Sequence, residues 1–339
     1  MNNFIEVLIT IPFTEAQVNS LRNISPRLNI TVQPGRKPED ISMEIWNRTE
    51  VLYTDRVLPP PAQVSNLNWV QFHSAGIDFA VDSPLIKMPG IVVTTLSGAA
   101  ATQVAEYAVM MMLSFGHRLL ELLASQARTE WPHDHWERFV PQELSGSTVG
   151  LVGYGSVGRQ IARVLYPFGM TILAIKRDVM RPQDADYMQD GRGDPQGDYF
   201  QRLYPIQALS SMLKECDFIV DSLPLTPDTR NLINADVLSV VKPTAFLLDV
   251  GRGGIVDQVA LIAALQEHRL AGAALDVFPE EPLQPTSPLW HMPNVIITPH
   301  LSGISPYYDD RAVALFAENL NRYLVGLPLY NRFDPQKGY

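Results

Sequence analysis

His300 stands just beyond an apolar run, in the stretch NVIITPHLSG. Proline has no N–H to lend a sheet and favours strand ends, so Thr298-Pro299 stops the strand and leaves the imidazole past its carboxyl end. Two further strand ends carry charge. Arg252 follows the apolar run of LLDVGRGGIVD, and AALDVFPEEPL places Asp276 near a strand end and Glu281 just before Pro282. Ligands of an open α/β sheet bind outside the carboxyl ends of its strands, so these side chains have one place to converge. Together they suit the reduction of a 2-keto acid, in which hydride reaches the carbonyl carbon while negative charge grows on its oxygen. Histidine changes charge near neutrality and can protonate that oxygen. A carboxylate beside the imidazole favours its charged form and fixes its orientation, the part assigned to Glu281. The guanidinium fork of Arg252 matches two oxygens of a substrate carboxylate.

A hydride donor needs its own site, and TVGLVGYGSVGRQIARVL supplies the pattern of one. Gly153, Gly155 and Gly158 lie between an apolar strand and an amphipathic helix, with Tyr154, Ser156 and Val157 between them. In that context the first glycine permits the turn, the second lets backbone approach a pyrophosphate, and the third lets helix pack on strand. The helix N-terminus then offers N–H groups and partial positive charge to the phosphates. The next strand ends in LAIKRD. An acid here would serve the ribose 2′-hydroxyl of NAD, whereas Lys176 and Arg177 suit a 2′-phosphate. NADP is therefore the expected cofactor, with NAD possible should Asp178 turn to the ribose.

The positioning elements are legible as alternation. IEVLIT, EVLYTD, NWVQFHSAG and GIVVTTL are strand candidates in the first third. TVGLVGYG, MTILAIKRD, DFIVDSLP, TAFLLDVGRG, AGAALDVFP and NVIITPH follow, apolar throughout as parallel strands covered on both faces are. Helical runs between them predict an α/β fold with two doubly wound parallel sheets, and 339 residues suit two domains better than one core. Residues 178–202 are polar and rich in Gly, Pro and Asp, and are expected to form a long surface insertion.

Bulk numbers narrow the function. A formal net charge of −10 argues against a nucleic-acid partner, which needs clustered Lys and Arg. The one cysteine, Cys216, cannot form an intrachain disulfide, which points to a reducing compartment. No charged-then-apolar leader opens the chain, and YAVMMMLSF is far shorter than the roughly 20 residues that span a bilayer. A soluble cytoplasmic protein without a membrane partner is expected. His133 and His135 in WPHDHW lack third and fourth ligands at metal spacing, so no metal site is expected. Met110, Met111 and Met112 form an apolar helix face, and His73 and His291 are assigned structural roles.

SAGID, VAEYAV, GLVGYGSVGRQIA, LPLTPDTRNLI, LLDVGRGGIVDQVAL, AGAALDVFPEEPL and NVIITPHLSG together resemble the D-isomer-specific 2-hydroxyacid dehydrogenase family along nearly the whole chain. The ending NRFDPQKGY is similar to that of its glyoxylate and hydroxypyruvate reductase branch. The resemblance implies a Rossmann-type cofactor domain, residues 101–299, inserted into a flavodoxin-like substrate domain formed by residues 1–100 and 300–339. It assigns catalysis to Arg252, Glu281 and His300, the nicotinamide amide to Asp276, and the substrate carboxylate to backbone N–H groups of Ser74, Ala75 and Gly76. Thr102, Leu223, Pro224, Thr229, Val250 and Gly251 join the glycine loop as implied cofactor contacts. It further implies a homodimer joined through the helix around residues 104–123. Thr95 departs from the Asn of many members, and the 178–202 insertion is longer than usual. Formate dehydrogenases of the family carry Gln where Glu281 stands, which sets that activity aside. A nucleotide-sensing corepressor of the same fold and a phosphite dehydrogenase remain alternatives to a keto-acid reductase.

Overall fold

Short runs of Val, Ile and Leu bounded by turn residues form twelve strands among the described residues, 4–335, 337 and 338, of the computed structural model. Gln336 and Tyr339 of the C-terminal ending lie outside them. The chain divides into two units, Met1–Ala100 with Ser305–Tyr339, and Ala101–Ile304.

In the first unit β1 (Ile5–Ile9), β2 (Leu28–Val32), β3 (Val51–Thr54), β4 (Trp69–Phe72) and β5 (Val92–Thr94) form a parallel sheet ordered β2-β1-β3-β4-β5. Side chains alternate across a strand, so β3 sends Val51 and Tyr53 to one face and Leu52 to the other. The first face meets Val313, Phe316 and Leu320 of the helix Tyr308–Leu324, and the second meets Trp46, Val70 and Phe72.

The second unit holds β6 (Thr148–Val152), β7 (Thr171–Ile175), β8 (Arg202–Tyr204), β9 (Phe218–Asp221), β10 (Phe246–Asp249), β11 (Gly272–Leu275) and β12 (Val295–Ile297). They form a parallel sheet ordered β12-β11-β10-β9-β6-β7-β8. The chain steps outward from β6 through β8, then restarts at β9 on the other side of β6. That reversal opens a crevice at the carboxyl ends of β6 and β9.

The α/β class and the two parallel sheets agree with expectation, and two strands do not. β2 and β8 were not anticipated, and β8 begins at Arg202, the last residue assigned to the insertion. The second unit also runs to Ile304 rather than 299. Its strand-end loop is bonded inward, because the N–H groups of Leu301 and Ser302 donate to the carboxylate of Asp276. No single described helix is long and apolar enough to cross a membrane.

Candidate active site

The glycine loop follows β6 at the crevice. Gly153 has φ +109, and a Cβ there would lie 3.1 Å from Leu223 Cδ2. A Cβ on Gly158 would lie 2.1 Å from the carbonyl oxygen of Gly153, so only glycine lets the helix Ser156–Leu165 pack this close to the strand. A Cβ on Gly155 would meet nothing within 4 Å, so the loop is open at that residue. Gly155 is also the helix N-cap and supplies no side-chain cap, which leaves the helix's partial positive charge for an outside anion. This cradle fits a dinucleotide pyrophosphate.

The other implied contacts stand at neighbouring strand ends. Leu223 and Pro224 follow β9, and Thr229 Oγ1 donates to the Pro224 carbonyl at 2.7 Å, closing that loop. Val250 and Gly251 follow β10. Thr102 is buried in the helix Ala101–Gly116. After β7, Lys176 Nζ donates to the carbonyl oxygens of Arg181 and Gln183, the latter at 2.9 Å. Burial, with Arg159 nearby, holds its ammonium below the usual lysine range. Arg177 is exposed, while Asp178 Oδ1 accepts from Met180 N at 3.0 Å.

Arg252, Glu281 and His300 follow β10, β11 and β12, three adjacent strands. Glu281 Oε2 lies 2.8 Å from His300 Nδ1, and its Oε1 accepts from Phe278 N at 3.0 Å. The carboxylate is thereby aimed at the ring, and His300 is 47% exposed in its side chain. His300 has φ +50, a left-handed conformation costly for a non-glycine residue. Its N–H is held at 2.9 Å by the Asp276 carbonyl. Arg252 Nη1 donates to the Gly251 carbonyl at 2.8 Å.

Asp276, fully buried, organises this turn. Its Oδ1 accepts from Thr298 Oγ1 at 2.6 Å and Leu301 N at 2.9 Å, and its Oδ2 accepts from Ser302 N at 2.9 Å. Tyr107 lies 2.8 Å from Thr298 Oγ1, and burial pushes its phenol up to about 12. Neither Thr298 nor Tyr107 was anticipated. The adjacency of Thr298 to Pro299-His300 was the only local hint, and Tyr107 reaches it through tertiary packing alone.

The loop Ser74, Ala75 and Gly76, which the family resemblance assigns to the substrate carboxylate, belongs to the first unit, after β4, where Ser74 Oγ donates to the Gly76 carbonyl at 2.9 Å. His73 before it does have an acid neighbour. Its Nε2 lies 3.3 Å from Asp309 Oδ1 and its Nδ1 2.8 Å from the Tyr53 hydroxyl, while burial lowers its pKa. Among the described residues no group of three or more His, Cys, Asp or Glu is arranged to hold a metal, His133 and His135 included.

Residues 109–302 match the family profile described as "D-isomer specific 2-hydroxyacid dehydrogenase, NAD binding domain". The chain belongs to the D-isomer specific 2-hydroxyacid dehydrogenase family. A glyoxylate reductase of Pyrococcus furiosus is 34% identical over 313 residues, covering 85% of this chain and 88% of the relative. A D-3-phosphoglycerate dehydrogenase of Synechocystis is 31% identical over 291 residues, 86% of this chain, which spans only 48% of that relative's length. The crystal structure of a D-isomer specific 2-hydroxyacid dehydrogenase from Xanthobacter autotrophicus Py2, in complex with NADPH and MES, is 26% identical. It covers 98% of this chain and 99% of its own, with a TM-score of 0.77. As a member of the family the protein is an NAD(P)-dependent oxidoreductase.

Proposed function

We propose that this enzyme reduces a small 2-keto acid of the glyoxylate or hydroxypyruvate kind to the D-2-hydroxy acid, with NADPH preferred over NADH. The observation that carries the reading is the 2.8 Å pair of His300 and Glu281, next to the strand end that bears Arg252. His300 gives its proton to the carbonyl oxygen as that oxygen gains charge, and takes it back in the reverse direction. Glu281 holds the ring through Nδ1, which leaves Nε2 for the substrate. Arg252 binds the substrate's anionic end and polarises the carbonyl. Ser74, Ala75 and Gly76 contribute backbone amides for the substrate carboxylate, which makes the first unit the substrate domain and the second the cofactor domain. The reduced nicotinamide, when bound, supplies the hydride. The glycine loop would hold its pyrophosphate and Asp276 its amide, with Thr102, Leu223, Pro224, Thr229, Val250 and Gly251 beside them.

The glyoxylate reductase among the relatives supports the substrate class. The NADPH in the Xanthobacter structure, together with Arg177 and Lys176 at the end of β7, supports the cofactor preference. Lys176 serves the carbonyls of Arg181 and Gln183, and the planar fork of Arg177, which matches two phosphate oxygens, carries the main part of 2′-phosphate recognition. Exposed Met110, Leu119, Leu122 and Leu123 on successive helices support a homodimer through this face. The single buried cysteine fits a cytoplasmic setting.

The test is steady-state turnover of glyoxylate, hydroxypyruvate and pyruvate with each dinucleotide. Turnover of none of them would overturn the substrate class. A hydrogen bond to a charged group contributes about 1.5–3 kcal/mol, so Arg177→Ala is expected to lower the NADPH-over-NADH ratio of kcat/KM by about 10- to 150-fold. A ratio untouched by that change removes Arg177 from the site.

A further inference from the structure

Residues 178–202 are docked on the helix Ser156–Leu165 by side chains that the mechanism does not use. Arg159 is fully buried, with Nε 3.1 Å from Asp184 Oδ2. Its Nη2 donates to the Pro182 carbonyl at 2.6 Å and its Nη1 to the Asp194 carbonyl. Gln160 Oε1 accepts from Gly193 N at 2.6 Å, and Arg163 Nη1 lies 3.2 Å from the Tyr199 hydroxyl. A guanidinium taken out of water is costly unless its donors are satisfied, and these partners all come from the insertion.

A second contact reaches the glycine loop itself. Tyr154, between Gly153 and Gly155, is buried, and its hydroxyl donates to Asp194 Oδ2 at 2.5 Å. Asp194 is buried too. Its Oδ1 also accepts from Gly197 N at 3.0 Å and Asp198 N at 2.8 Å, and its Oδ2 from Tyr199 N at 3.2 Å. The Tyr154 ring stands edge-on to Phe200 at 5.3 Å, with the Arg159 guanidinium 4.8 Å from its centroid. Only the backbone of such a loop meets the pyrophosphate, so dinucleotide contact does not by itself require a buried tyrosine at this position.

We propose that segment 178–202 is a clamp on the pyrophosphate loop, in which Asp194, through the Tyr154 hydroxyl, holds the 153–155 backbone ready for the dinucleotide. The proposal rests on the dinucleotide reading of that loop. Asp194 is a positioning residue, and Arg159 seats the segment that carries it. A loop ordered beforehand loses less freedom on binding, so the clamp contributes to affinity and not to the chemical step. The pyrophosphate is common to NADH and NADPH, so both must benefit alike. A segment serving the 2′-phosphate would favour NADPH alone.

The experiment is direct titration of wild type, Asp194→Ala and Tyr154→Phe with NADPH and with NADH, read by nicotinamide fluorescence, alongside kcat at saturating cofactor and thermal melting. Both variants are expected to raise Kd about 10-fold for both dinucleotides, while kcat of Asp194→Ala stays within about twofold of wild type. Tyr154→Phe keeps the ring and loses only the hydroxyl, so it decides the matter if Asp194→Ala fails to fold. Unchanged Kd in a folded Tyr154→Phe, whatever its melting temperature, overturns the clamp while leaving the dinucleotide site standing. So does a loss confined to NADPH. Failure of wild type to bind either dinucleotide overturns the dinucleotide reading, and the clamp falls with it.

Discussion

Two pairs of ionisable side chains stand at the carboxyl end of the seven-stranded sheet, and water treats them differently. Asp221 and Asp249 end β9 and β10 directly opposite one another and are both buried. Asp221 Oδ2 has no hydrogen-bond partner among the described residues. Burial, then the neighbouring Asp249, raises the Asp221 carboxyl far above its usual range, and burial pushes Asp249 up to about 7. Burial disfavours the charged form of both carboxyls, and a charge on Asp249 further disfavours one on Asp221. Glu281 beyond β11 is 35% exposed in its side chain, accepts from Phe278 N and faces an imidazole. Asp276, also fully buried, receives one hydroxyl and two backbone N–H groups. Exposure, not position on the sheet, separates the two pairs: one is closed off from water and the other is open to it.

The largest effect should come from the exposed pair. His300→Ala is expected to lose about 10²–10⁴ of kcat, the usual contribution of a general acid, with dinucleotide binding retained. Near-normal turnover would show that the pair is not the chemical centre and would remove the contrast. Glu281→Gln keeps the shape and an acceptor but not the charge, so steady-state kinetics should record a smaller fall, about 10-fold in kcat. A loss as large as that of His300→Ala would mean that Glu281 does more than orient.

The buried pair should act on stability instead. A carboxyl whose folded pKa is raised contributes stability that is present below its unfolded pKa and lost as pH rises through the raised value. The enzyme should therefore lose stability from the ordinary carboxylate range up through about pH 7, the Asp249 value. Asp221→Asn replaces a buried carboxyl, which the fold must keep uncharged at a cost that grows with pH, by a neutral amide. Its melting temperature should rise above wild type by a few degrees at pH 8, roughly 1–2 kcal/mol, and should match wild type near pH 4. Equal gains at both pH values would assign the effect to packing rather than to charge.

Much of this site is legible in the residues because its chemistry is local. Gly153, Gly155 and Gly158 state a turn, a close approach and a helix contact within one short stretch. Thr298-Pro299 ends a strand by the chemistry of proline itself. β2 and β8 escaped because both are sheet edges with polar interruptions, exposed Asn29 in one and exposed Arg202 in the other. Lys176 looked like a phosphate ligand by its place after β7, and only the folded insertion shows its ammonium on the carbonyls of Arg181 and Gln183.

By itself, then, the chain's order of residues determined the strand–helix alternation, the glycine loop and the three charged strand ends, since each depends on neighbours within a turn or a strand. Only the tertiary structure decided which distant side chains meet. It set Asp309 against His73, Tyr107 against Thr298, Asp194 against Tyr154 and Asp221 beside Asp249. Those pairings follow from strand order and helix packing, which bring together residues far apart in the chain, and periodicity carries no record of which ones.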